Sequence, residues 1–288
     1  MAYPRLYTCD LARGRCSSAM SDIDSLDKSA QNAVDGDPNS IWAPGTGATT
    51  FGVTLDAPRK IRAFAFANHN LAGCFITLLG VYNGSGIVLR VPTVVPTCED
   101  FLVDLETSTP LLTAAWVTVT GADPTIRVGC ISVLGDYGYN SAGQIIEGGG
   151  YGIIELGGDD VGGVSYPLPV GGDTGVVAVT SANGFPQYQR LAGVSQSLVI
   201  PFDLMRAARD YDLWRLFQAY YPQRRGVFAN PGFTRGVWYT SDDYSTDAPT
   251  ARYCVGDPSR PLAYQIDQAG SRASGSLVLQ TIPRDPVS

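Results

Sequence analysis

The chain contains one histidine, His69, set between Asn68 and Asn70 at the end of the run "KIRAFAFANHNLAG". An imidazole so placed is able to serve as a lone general base, with the flanking amides fixing the ring. Serine hydrolysis asks for more, a nucleophile on a sharp turn beside that base, and no GxSxG occurs. Glycoside cleavage needs two carboxylates roughly 5–10 Å apart across the scissile bond. The acidic pairs Asp159-Asp160 and Asp242-Asp243 are adjacent in loop text and read as solvated loop residues. The glycine-rich runs lack the GxxxxGK[ST] of a phosphate loop. The six cysteines, Cys9, Cys16, Cys74, Cys98, Cys130 and Cys254, include no CxxC, and one histidine with these spacings does not suggest a zinc site. Cys74 and Cys130 read as buried thiols, and Cys9 and Cys16 pair only under oxidising conditions. The residues therefore carry no enzyme signature, and His69 reads as a histidine hydrogen-bonded at a strand end.

Composition narrows the partners. Of 288 residues 44% are hydrophobic and only 16% charged, against a usual charged share of about 25%, so the chain has the means to bury a sizeable core. The net charge of −7, with Arg224-Arg225 too short to form a basic patch, argues against nucleic acid. No run approaches the roughly 18 apolar residues of a membrane span. The opening "MAYPRLYTCDLARG" has no apolar signal-peptide core, which leads to the expectation of synthesis and folding in a cytoplasm.

The elements that must position these residues are mostly strands. "FGVTLD" alternates with period two, and "KIRAFAFAN" places Ile61, Ala63 and Ala65 on one face and Phe64 and Phe66 on the other. "FITLLGVYNGSGIVLRV" reads as a hairpin across Asn83-Gly84-Ser85-Gly86. "DFLVDLE" and "AAWVTVTGADPTIRVGCISVLGD" add strands, the latter with a turn at Ala122-Asp123-Pro124, while a short helix is expected around Asp24–Val34. Short strands between turn residues predict an antiparallel β-sandwich over residues 1–140. Residues 141–175, glycine-rich, read as a linker or arm with β-like islands at "YGIIEL" and "GVVAVTS". Residues 176–288 read as a β-rich assembly domain. Its one amphipathic helix, about 203–221, is drawn from "PFDLMRAARDYDLWRLFQAYYP", with Asp203 as N-cap and Pro222 as stop.

One segment carries a resemblance. "NAVDGDPNSIWAP" pairs Asp35, Gly36, Asp37, Ser40 and Trp42 shortly before a strand bearing Val53, Leu55 and Asp56, with Ala57 where glycine is usual. This resembles the discoidin, or coagulation-factor C-type, galactose-binding-like family over about residues 25–136. The resemblance implies a jelly-roll type sandwich. It also implies a structural calcium, for which Asp35, Asp37 and Ser40 with loop carbonyls are the donor set. The same aspartates equally suit Asx-turn bonds to their own loop. The family's sandwiches also bind sugars through loops at one end, and Trp42, His69 and Arg90 are the candidate carbohydrate-binding residues. Trp42 reads equally as a core plug.

"FANHNL", "ITLLGVYNGSG" and the closing "IRVGCISVLGDYG" are further similar to discoidin-like domains in structural proteins of tailed bacteriophages. That resemblance implies a virion component of the tail tip or baseplate, made in the host cytoplasm. It would assemble as a symmetric homo-oligomer, a trimer or hexamer, around the tail axis with other tail proteins. The alternative is a carbohydrate-binding adhesin that attaches to a host-surface glycan through the N-terminal sandwich.

Overall fold

The computed structural model describes residues 5–7, 9–12, 30–45, 48–98, 100–121, 125–135, 138–139, 145–146, 153–155, 170–172, 176–180, 186–190, 196–206, 237–240, 251–256, 263–266 and 272–282. Strands dominate. In chain order the first are β1 (Arg5–Tyr7), β2 (Trp42–Gly45), β3 (Thr49–Arg59), β4 (Ala63–His69) and β5 (Phe75–Tyr82). Then come β6 (Ser85–Val94), β7 (Asp100–Asp104), β8 (Leu112–Thr120), β9 (Ile126–Leu134), β10 (Gly138–Tyr139) and β11 (Ile145–Ile146). The rest are β12 (Ile153–Glu155), β13 (Val170–Gly172), β14 (Val176–Thr180), β15 (Pro186–Arg190) and β16 (Gln196–Arg206), followed by β17 (Val237–Thr240), β18 (Ala251–Gly256), β19 (Ala263–Ile266) and β20 (Arg272–Thr281). A 3-10 turn spans Ala30–Val34, inside the expected helical segment, whose residues 24–29 lie outside the described residues.

Two four-stranded antiparallel sheets face each other. One, ordered β2-β9-β4-β7, is the middle sheet; the other, ordered β3-β8-β5-β6, is the outer sheet. Phe51, Val53, Ile76, Leu78, Val117 and Val119 of the outer sheet share one core with Trp42, Phe64, Phe66, Phe101, Val128 and Ile131 of the middle sheet. This is the expected sandwich. The hairpin turns on Asn83 and Gly84, with φ of 49° and 77°, the positive pair that a two-residue turn matched to strand twist requires.

A third layer covers the middle sheet's far side. Its path runs β12-β1-β17-β18-β20-β16-β13, with β19 on β20. Ala63, Ala65, Ala67, Leu102 and Cys130 pack there against Tyr7, Trp238, Ala251 and Tyr253. Every residue of β4 is consequently buried. Its two faces are sized differently: phenylalanines fill the sandwich, while alanines leave room for the aromatics of the third sheet. Ile61 departs from the expected alternation. It lies before the strand, enters the sandwich core, and its N–H donates to Thr109 Oγ1 at 2.8 Å.

Polar contacts tie the layers. Trp238 Nε1 donates to Ser132 Oγ at 3.0 Å. The backbone N–H of Tyr253 donates to Asp100 Oδ2 at 2.9 Å, and the Tyr253 hydroxyl to the Gly36 carbonyl at 3.0 Å. Asp104, with 7% of its side chain exposed, accepts from Arg5 at 3.0 Å, Tyr7 at 2.7 Å and Arg62 Nη2 at 3.3 Å, and pairs with the Arg62 guanidinium at 2.8 Å.

Two expectations are revised. Residues 203–206 of the expected helix belong to β16, whose pairing with β20 runs from Ser197↔Gln280 to Arg206↔Arg272 through a bulge between Phe202 and Met205. The ladder begun by Leu198, Val199 and Ile200 satisfies the backbone through this stretch and overrides the helical spacing. Residues 207–221 lie outside the described residues. The N-terminal strand β1 belongs to the third sheet, between β12 and β17. Both β-like islands expected near the glycine-rich stretch are strands, β12 and β14, and β12 joins that sheet.

Candidate functional site

The end of β4 shows how the motif residues are used. Asn68 has a φ of 50°, a left-handed conformation that asparagine tolerates better than most residues. It reverses the alternation. His69 would otherwise follow the alanine face, but its ring meets Phe101 edge-on at 4.9 Å. Its Nδ1 accepts the N–H of Leu71 at 3.2 Å, and it is 8% exposed. An accepting Nδ1 places the neutral ring's proton on Nε2. The flanking amides hold backbone, not the ring. Asn68 Nδ2 donates to the Pro38 carbonyl at 2.7 Å; Asn70 donates to the Thr125 carbonyl and accepts from the Arg127 N–H at 2.8 Å.

The Asp-Gly-Asp loop docks on the same strand end. Asp35 Oδ1 accepts the N–H of Asp37 at 2.7 Å, and Asp37 Oδ1 that of Asn39 at 2.9 Å. These are Asx turns. The carbonyls are also engaged: Gly36 by Tyr253, Pro38 by Asn68, and Asp37 by the Ser40 N–H at 3.0 Å. A calcium ion takes six to eight oxygens. In this structure the loop's turns and its neighbours each use one acceptor position of the loop's oxygens. Among the described residues no three His, Cys, Asp or Glu side chains gather as a metal site.

The three candidate sugar-binding residues do not share a surface. Trp42 is fully buried, edge-on to Phe51 at 5.3 Å. Trp42 and His69 flank Val128 in one row of the middle sheet, inside the molecule. Arg90 is exposed on β6 of the other sheet.

Among the described residues, the open face of the outer sheet combines exposure with aromatic and hydroxyl side chains. Along β8, Ala115, Val117 and Val119 enter the core, so Trp116, Thr118 and Thr120 face outward. Trp116 is half-buried and stands between Gly52 and Leu79 in the register. Its indole lies across Gly52: a Cβ there would fall 2.1 Å from Trp116 Cζ3. The glycine lets the ring lie down on the sheet. One row along, Thr50, Thr118 and Thr77 line up across three strands, with 3.2 Å between the Thr50 and Thr118 hydroxyls. One row further, exposed Phe75 is paired with exposed Val94. Arg90 borders this face at a bulge of the edge strand. Sequence reading missed Trp116 as a surface residue; the alternation in "AAWVTVT" held the signal for its side, but not for the glycine beneath it.

No family model and no curated protein match the sequence. Similar solved structures include chitosan-binding module 1 from a chitosanase/glucanase of Paenibacillus sp. IK-5, 17% identical with a TM-score of 0.39, covering 44% of this chain and 99% of that one. The family 32 carbohydrate-binding module of C. perfringens NanJ, solved with galactose, is 13% identical with a TM-score of 0.39, covering 45% and 98%. An F5/8 type C domain from Bacteroides fragilis is 15% identical with a TM-score of 0.35, covering 42% and 97%.

Proposed function

We propose that the chain is a carbohydrate-binding protein that acts by binding without turnover, through the open face of its outer sheet. The observation that carries this reading is Trp116 laid across Gly52 and bordered by threonine hydroxyls. A flat indole packs against the C–H face of a pyranose by dispersion, and hydroxyls beside it supply donors and acceptors to the ring's own hydroxyls. The similar solved structures include carbohydrate-binding modules. Binding without turnover agrees with a buried His69 engaged by Leu71 and with Asp35 and Asp37 committed to turns. Calorimetry of the full chain against a panel of polysaccharides tests the reading: Trp116→Ala should lower affinity about tenfold or more, roughly 1.4 kcal/mol, with an unchanged fold by circular dichroism. Undiminished binding would reject it.

A second reading, a place in the tail tip or baseplate of a phage particle as a symmetric oligomer, rests on "FANHNL" and "IRVGCISVLGD". Those segments lie side by side as β4 and β9. Labelling virions with an antibody to the chain tests it, and an unlabelled tail would reject it.

A further inference from the structure

We infer that the ligand of this face is a stretch of an uncharged, linear glycan lying along the strands, and not a terminal monosaccharide; the inference rests on the carbohydrate reading above. The face offers two apolar platforms, not one. Phe75 is opposite Thr120, four residues beyond Trp116 on β8, so the platforms stand about 14 Å apart along the strand direction. The threonine row lies between them. A single sugar ring covers one platform; a chain of several units touches both and crosses the hydroxyl row.

Charge selects the class. None of the outward residues of β3, β8 and β5 in the rows from Thr54 to Phe75 is charged. Beyond the end of the face Asp56 and Arg59 pair with each other at 3.5 Å, and only Arg90 borders it among the described residues of β6. With a net charge of −7, the molecule as a whole repels a polyanion. The edge beside the face is closed to an incoming protein strand. β6 carries Pro92, which has no N–H, and two register shifts against β5, devices that blunt an edge.

The test is calorimetry of the full chain with neutral oligosaccharides of one to six glucose, galactose or N-acetylglucosamine units. Affinity should rise about tenfold or more from one unit to four. Phe75→Ala should cancel that rise, whereas Trp116→Ala should weaken ligands of every length about tenfold or more. If Trp116→Ala fails to fold, Thr118→Val is read in its place and should weaken the longer ligands at least threefold. Length-independent binding that still needs Trp116 would overturn the inference and leave the carbohydrate reading standing. So would preference for a uronic-acid polymer lost in Arg90→Ala. Binding of no glycan, or binding indifferent to Trp116, would overturn both. Self-association lost in Trp116→Ala under sedimentation would then identify the face as a contact between copies.

Discussion

Gly52 and Trp116 are one unit, because the ring occupies the space a side chain at Gly52 would need. Gly52→Ala should lift the indole off the sheet and weaken glycan binding by about as much as Trp116→Ala, with a modest fall in melting temperature. Titration of both variants at one temperature checks this. Gly129 is tighter still: a Cβ there would fall 2.0 Å from the Pro38 carbonyl oxygen, a backbone atom already held by Asn68. Gly129→Ala should cost about 1–3 kcal/mol, the range for forcing extra volume into a packed site, read from denaturant unfolding. His69→Ala should cost about 1–2 kcal/mol through the lost Leu71 bond and Phe101 contact, while glycan affinity stays unchanged. At this scale the sequence was half legible. Alternation in "AAWVTVT" and "FGVTLD" assigns sides, but period two carries no register, so the meeting of Trp116 with Gly52 could not be read. Trp42, which stands out in the text, is conspicuous because it plugs the core.

Strand β4 shows what an element can reveal and conceal. Its alternation of phenylalanine and alanine was plain, and so was its place in a sandwich. That both faces are buried was not, since alanine is equally at home facing solvent. Strand β16 shows a related limit: it takes residues 203–206 from the start of the expected helix, and the spacing that suggested the helix contains no record of the partner strand β20. The three-residue β1 is too short to have a period at all. Its anchoring is chemical. Asp104 gathers Arg5, Tyr7 and Arg62 where the middle and third sheets meet, with the arginine side chains about a fifth exposed. Asp104→Ala should therefore destabilise by about 2 kcal/mol, between the values for surface and fully buried pairs, and the loss should shrink in an Arg5→Ala background. A double-mutant cycle measures that coupling.

The molecule's three layers make the sandwich dependent on its neighbour. A fragment ending at residue 140 would leave Ala63, Ala65, Ala67, Leu102 and Cys130 uncovered, an apolar face that invites association. Such a fragment should bind a hydrophobic dye and aggregate where the full chain does not; light scattering on both checks it. Chelation should leave the full chain's melting temperature unchanged, because the Asp-Gly-Asp loop is closed by Asx turns and by Tyr253 and Asn68. Strand β1 adds a constraint in time. Leu6 is paired with Tyr239, so β1 is synthesised well before the strand it pairs with. Contacts of such sequence separation slow folding. The sandwich is complete in sequence long before its cover is, and the interval between them is when the growing chain most needs a chaperone.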